Sequence, residues 1–140
     1  MKFVKHENFP DAIANLIRHL EHWERGETTI QFPQELYGND VNPGEWLLAV
    51  GSPARQHRPT VLTLDSGIKE NAVNIKAMKQ SGCSFVVFAR GWMKEPLRSF
   101  AWKAIRAWSA IVDQAEQSHE AKQQCRMDVS INGNITLTNL

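Results

Sequence analysis

Four acidic side chains stand where strand-like runs end, or in the loop after one. Asp65 follows Thr60–Leu64, Glu7 follows Lys2–Lys5 within His6-Glu7-Asn8, and Asp40 and Glu45 lie in or after the loop behind Thr28–Phe32. Ligands of an open parallel sheet bind outside the carboxyl ends of its strands, so acids from separate strand ends can converge on one site. Hard cations such as Mg²⁺ are held by a few carboxylates together with water and substrate phosphates. A cation so held activates a water and stabilises the charge of an in-line phosphoryl displacement. The plainer role of an acid after a strand is to form a turn or cap the next helix, and Asp65 is open to both readings.

Positive charge is concentrated just beyond Asp65. Residues 69–106 hold Lys69, Lys76, Lys79, Arg90, Lys94, Arg98, Lys103 and Arg106 against Glu70 and Glu95 alone, whereas the chain as a whole has a net charge of +1. Such a window is either a solvated helix face or a surface that tracks phosphates. Arg90, Lys94, Lys103 and Lys69 are the candidate phosphate contacts. Trp92, between Arg90 and Lys94, is open to two readings, a structural ring or the candidate for stacking on a base, because aromatics within a basic surface grip single strands. Trp102 and Trp108 fall at helical spacing and read as core. Asn71 and Asn74 read as caps or surface residues, and His19, His22 and His119 as surface residues without ligand-like spacing. His57, between Arg55 and Arg58, reads as part of a solvated loop, and Ser66 has no histidine placed to make it a nucleophile.

The elements that must position these groups alternate. Lys2–Lys5 reads as a strand, and Pro10-Asp11 opens a helix with the apolar stripe Ile13, Leu16, Ile17, Leu20 and Trp23, closed by Gly26. A strand over residues 28–32 ends at Pro33, a loop runs from Gln34 to Pro43, and a short helix contains Glu45–Leu48. Thr60–Leu64 is apolar and β-branched throughout, as a strand covered on both faces requires. A helix over about 70–80, capped by Gly82, leads to the strand Phe85–Phe88. Pro96 starts a long helix with the stripe Leu97, Ala101, Ile105, Trp108 and Val112, and Asn132-Gly133 turns a C-terminal hairpin over about 126–138. The pattern predicts one α/β domain over residues 1–140: a mostly parallel sheet between helix layers with a hairpin appended.

With 42% hydrophobic and 22% charged residues in a chain of 140, disorder is excluded. No stretch approaches the length of a membrane span, and Met1–Glu7 lacks a signal-peptide core. Cys83 and Cys125 are too far apart in sequence for a zinc-type pair and suit reduced thiols, so a cytoplasmic protein is expected.

The order Pro59–Ile68, Ala77-Met78, Gly82–Phe88, Gly91-Trp92, then Ala101-Trp102-Lys103, Arg106, Trp108 and Ile111-Val112, resembles the PIN-like domains of toxin–antitoxin systems, and their compact branch in particular. The likeness is strong over residues 59–115 and looser over 1–50, where Phe9-Pro10, Ile13-Ala14 and Glu45-Trp46-Leu47 echo the first helix and a Glu-Trp element. It implies a three-layer α/β/α sandwich, Mg²⁺ or Mn²⁺ on clustered carboxylates, and endoribonuclease activity under a cognate antitoxin. It also implies self-association as a homodimer. Asp65 matches the family acid after the central strand, and Glu45 or Asp40 is the second acid.

The departure is at the first strand, where the family has an acid followed by Glu or Arg and then Asn, and this chain has His6-Glu7-Asn8. Three readings of His6 stay open. The imidazole is a ligand for Mn²⁺ or zinc; or Glu7 reaches into the site in its place; or the metal site is lost and the domain binds RNA or a protein without cutting. A receiver-like phosphoacceptor also has an Asp after a central strand, but pairs it with two acids after the first, and His6-Glu7 supplies one.

Overall fold

The computed structural model describes residues 1–6, 8–24, 28–37, 59–64 and 72–140, with residues 36–37 and 72–74 described by their backbone alone. The elements are β1 (Lys2–Lys5), α1 (Asp11–Glu24), β2 (Thr29–Gln31), α2 (Pro33–Tyr37), β3 (Thr60–Leu64), α3 (Ala72–Ser81), β4 (Phe85–Phe88), a 3-10 turn (Arg90–Lys94), α4 (Leu97–Glu120), β5 (Cys125–Val129) and β6 (Ile135–Asn139). They form a six-stranded sheet in the order β2-β1-β3-β4-β5-β6. All neighbours pair in parallel except β5 and β6, the expected hairpin, in which Met127 faces Leu137. Helix α2 begins at Pro33, the expected end of the strand, and runs on to Tyr37 through the start of the expected loop. The short helix expected at Glu45–Leu48 lies outside the described residues.

Alternation along the strands sorts the core into two clusters. Phe3, Leu62, Leu64, Val86, Phe88, Met127 and Val129 meet α1 and α4 on one face, and Val4, Val61, Phe85 and Val87 meet Met78 of α3 on the other. The steps β3 to β4 and β4 to β5 run the same way across the sheet, yet α3 and α4 cover opposite faces. The α4 crossover therefore has the opposite hand to those of α1 and α3, where right-handed connections are the strong rule. Trp92 supplies a physical reason for this path. Its ring is fully buried against Phe88 and Phe100, at 5.0 and 4.9 Å, and its Nε1 donates to the Val129 carbonyl at 3.1 Å. The 3-10 turn is thereby anchored on the α1 side before α4 begins.

Helix periodicity places both long helices, but the buried faces are phased differently from the expected stripes. On α1 the buried residues are Ile13, Ala14, Ile17 and Glu21, while Leu16 is 40% and Trp23 78% exposed. On α4 the buried face runs through Phe100, Ala104, Ala107, Trp108, Ile111, Val112 and Ala115, which leaves Leu97 57% exposed and Ala101 and Ile105 at the margin. Phe100 decides the phase, because its large ring fills space between Trp92, Phe88 and Phe9. Trp108 is core as expected, packing on Phe3 at 4.9 Å and donating from Nε1 to Glu21 Oε1 at 2.6 Å. Trp102 is not: it is 52% exposed.

Candidate site at the carboxyl edge of the sheet

The order of strand addition reverses between β1 and β3, because the chain steps one way from β1 to β2 and then back past β1 to β3. A crevice at such a reversal is the usual ligand site of a doubly wound sheet. At this edge the ladder extends past β1, with the His6 N–H donating to the Leu62 carbonyl at 2.7 Å. Asn8 then closes the gap. Its Oδ1 accepts from the Leu64 N–H at 3.2 Å and the Thr63 hydroxyl at 3.0 Å, and its Nδ2 donates to the Leu64 carbonyl at 3.1 Å. The carboxamide thus satisfies both backbone groups of the last β3 residue, a task that a parallel neighbour divides between two of its residues. The residue after Leu64 is Asp65, so the two strand ends carrying the candidate acids are tied together.

Asp65, Glu45, Asp40 and Glu7, with the phosphate candidate Lys69, lie outside the described residues. Among the described residues no group of three His, Cys, Asp or Glu side chains is placed to hold a metal ion. His6 is half-buried, and its Nδ1 accepts the Asn8 N–H at 3.3 Å. An imidazole that accepts at Nδ1 carries its neutral-form proton on Nε2, so Nε2 offers no lone pair. In this state His6 does not fit the role of a ligand through Nε2. What the described strand ends contribute is an imidazole and a carboxamide.

Lys5 is a residue that sequence reasoning passed over. It lies on the same side of β1 as Phe3, only 4% exposed, with its ammonium bonded to Asp11 at the start of α1 and 5.4 Å from the centre of the Phe32 ring. The readable signal is a lysine at the inward position of an alternating strand, which demands an opposite charge within reach. Asp11 supplies it and so fixes the start of α1 beside the site. Nearby, the Arg18 guanidinium clasps Glu35 with both nitrogens, at 2.6 and 2.9 Å. That hydrogen bonding raises the pKa of Arg18, against a smaller opposing effect of burial.

Of the phosphate candidates, Arg90 and Lys94 are exposed on the turn that follows β4, at the same carboxyl edge. Lys103 is half-buried and held by Glu95 at 3.0 Å, so it reaches an anion only from within an ion pair. Glu95 also accepts from the Ser99 hydroxyl, and these two bonds hold its carboxyl below the usual glutamate range. Trp92 is corrected: a ring with no exposed surface and a satisfied Nε1 cannot stack on a base. The misleading signal was its flanking charge. In a 3-10 turn, Arg90 and Lys94 point outward while the residue between them is the anchor.

A cavity of about 290 Å³ opens at the opposite, amino edge of the strands, lined by Met1, Thr60, Ser84, His119 and Gln124 among others, well away from His6 and Asn8. Among the described residues no helix is long and apolar enough to cross a membrane. Both cysteines are buried, and neither is in a disulfide. No family model, curated protein or solved structure matches the chain.

Proposed function

We propose that the chain is a PIN-like, metal-dependent endoribonuclease, the toxin of a toxin–antitoxin pair, which hydrolyses RNA phosphodiesters at the carboxyl edge of its sheet. The observation that carries the reading is the Asn8 clamp, which joins the end of β1 to Leu64 at the reversal of strand order, one residue before Asp65. The exposed cations Arg90 and Lys94 at the same edge suit a polyanionic substrate. Asp65, with Glu45, Asp40 and Glu7, would hold Mg²⁺ or Mn²⁺, which would activate water and neutralise charge on the phosphate. The antitoxin partner, the homodimer and the cytoplasmic location belong to the same proposal.

The direct test is incubation with structured RNAs in Mg²⁺ or Mn²⁺. Asp65→Asn is expected to reduce cleavage by at least about a hundredfold, on the scale of losing a group that stabilises transition-state charge. Cleavage unchanged in that variant overturns the assignment.

One observation favours a second reading, that the domain binds RNA or a protein without cutting. His6 stands where the resemblance expects an acid, and its Nδ1 is engaged by Asn8 as an acceptor. Robust metal-dependent cleavage by the unaltered protein removes this reading.

A further inference from the structure

Helix α4 carries Arg98, Trp102 and Arg106 at intervals of four, which places all three on one face. That face is exposed. Trp102 is 52% exposed, and the Arg106 guanidinium lies 5.4 Å from the centre of its ring. What sets this position apart is the pairing: an exposed indole with a guanidinium beside it, in the most basic stretch of the chain, offers a base a ring and a cation together.

Beside this face lies a cleft of about 120 Å³ between α4 and the β5–β6 turn, lined by Lys103, Arg106, Asn132 and Gly133 over a floor that includes Ala107 and Ile131. Its volume is well short of the roughly 300–1,000 Å³ of a small-molecule site and suits a single ionic group. The turn packs in ordinary contact with α4. Gly133 has φ +85, a conformation side chains rarely adopt, and a Cβ there would come 3.7 Å from Ala107 Cβ. Because β5 runs parallel to β3, its following turn lies at the carboxyl edge, and Gly91 of the 3-10 turn faces Ile131 there. The cleft therefore adjoins the edge that carries Arg90 and Lys94.

The signs of the charges on α4 point the same way. Its first half holds Arg98, Lys103 and Arg106 and no acid, and its second half holds Asp113, Glu116 and Glu120 and no Lys or Arg. A helix is stabilised by acids at its start and bases at its end, so Arg98 in the first turn and Glu120 in the last both oppose helix stability. Cations at the amino end do serve an anion held there.

We infer that Trp102, Arg106 and the Lys103 cleft form a subsite for single-stranded RNA, in which one base stacks on the Trp102 indole and an adjoining phosphate enters the cleft. Bases stack on aromatic rings and on guanidinium planes alike, and the Arg106–Trp102 pair presents both. This inference rests on the ribonuclease reading for its choice of nucleic acid, and it assigns the path of the strand outside the candidate catalytic edge.

The test is binding of a fluorescein-labelled oligouridylate dodecamer, followed by anisotropy in EDTA so that cleavage plays no part. Trp102→Ala is expected to raise Kd about tenfold, the loss of one stacked base, while Trp102→Phe keeps most of the affinity. Arg106→Gln is expected to lower the slope of log K against log salt by about 0.7, one phosphate contact on a single strand. That slope also decides the matter if Trp102→Ala fails to fold. If the dodecamer binds and neither variant changes its affinity or slope, the subsite is overturned while the ribonuclease reading stands. If Asp65→Asn leaves cleavage intact but Trp102→Ala weakens binding, the catalytic reading fails and the subsite survives. Failure of the unaltered protein to bind the dodecamer overturns the subsite. So does tighter, Trp102-dependent binding of polyglutamate, which would mark this face as a protein interface.

Discussion

The two halves of α4 share one buried face and differ in what they show to solvent. Residues 97–108 expose Leu97, Arg98, Trp102 and Arg106, whereas residues 109–120 expose Asp113, Glu116, His119 and Glu120. The inner face changes little along the helix, from Phe100 and Ala104 through Trp108 to Ile111 and Ala115. Folding therefore accounts for the inner face throughout. It does not account for the outer charges, whose order opposes the helix dipole. The amino half starts at the carboxyl edge of the sheet, beside Arg90, Lys94 and the strand ends joined by Asn8, and the carboxyl half returns toward the amino edge. Position relative to the site separates the halves, and sequence alone gave no measure of that position.

Substitutions on opposite faces of the amino half break the comparison most strongly. Trp108→Ala should cost about 3–5 kcal/mol in urea unfolding, because it empties a buried site against Phe3 and leaves the buried Glu21 carboxylate without the Trp108 N–H. Trp102→Ala, at a half-exposed position, should stay within about 1 kcal/mol of the parent. Equal losses from the two would contradict the division into an inner and an outer face.

Charge reversal sharpens the contrast between the halves at a smaller scale. Arg98→Glu and Glu120→Lys should each raise stability by about 0.3–1 kcal/mol by satisfying the dipole. Only the first should weaken RNA binding. A stabilised Arg98→Glu protein that binds RNA as before would show that the first-turn cation has no part in the strand's path.

Glu95, at the entrance to the basic half, gives the smallest effect and one that depends on pH. Its bonds to Ser99 and Lys103 lower its pKa on folding. A group lowered on folding contributes stability above its unfolded value, about 4.3 for glutamate, and loses it as the pH falls through the folded value. The stability gap between the parent and Glu95→Gln should be present at neutral pH and close as acid titrates the carboxyl. A gap that widens below pH 4 would mean that the pair with Lys103 does not hold Glu95 ionised.

Much of the fold was legible because local signals agreed with global ones. Thr60–Leu64 and Phe85–Phe88 are apolar or β-branched throughout and became fully buried parallel strands, and Asn132-Gly133 turned the hairpin. Helix phase was less legible. Ile13 and Ile17 fix α1, but Leu16 and Trp23 fit the same period on its neighbouring edge, and only packing against α4 shows which edge faces inward. The two tryptophans of the basic window are hard to place from sequence for the same reason. A 3-10 turn buries Trp92 although charges flank it, and a helix phased by Phe100 exposes Trp102 although its spacing suits a core. At the site, His6 and Asn8 were visible in sequence as a strand end. That Asn8 bonds both backbone groups of Leu64 depends on β1 and β3 being neighbours, which follows from strand order and not from either segment alone.

The central claim, a hydrolytic metal site where β1 and β3 end, is tested most directly by restoring the acid that the resemblance expects at position 6. Mn²⁺-dependent RNA cleavage should be measured for the parent, for His6→Asp, and for His6→Asp combined with Asp65→Asn. An added carboxylate strengthens a hard-cation site, so His6→Asp should raise cleavage by about tenfold or more at limiting Mn²⁺, and Asp65→Asn should abolish the gain. Cleavage that His6→Asp leaves unchanged, or a gain that survives the loss of Asp65, would place the chemistry elsewhere in the molecule.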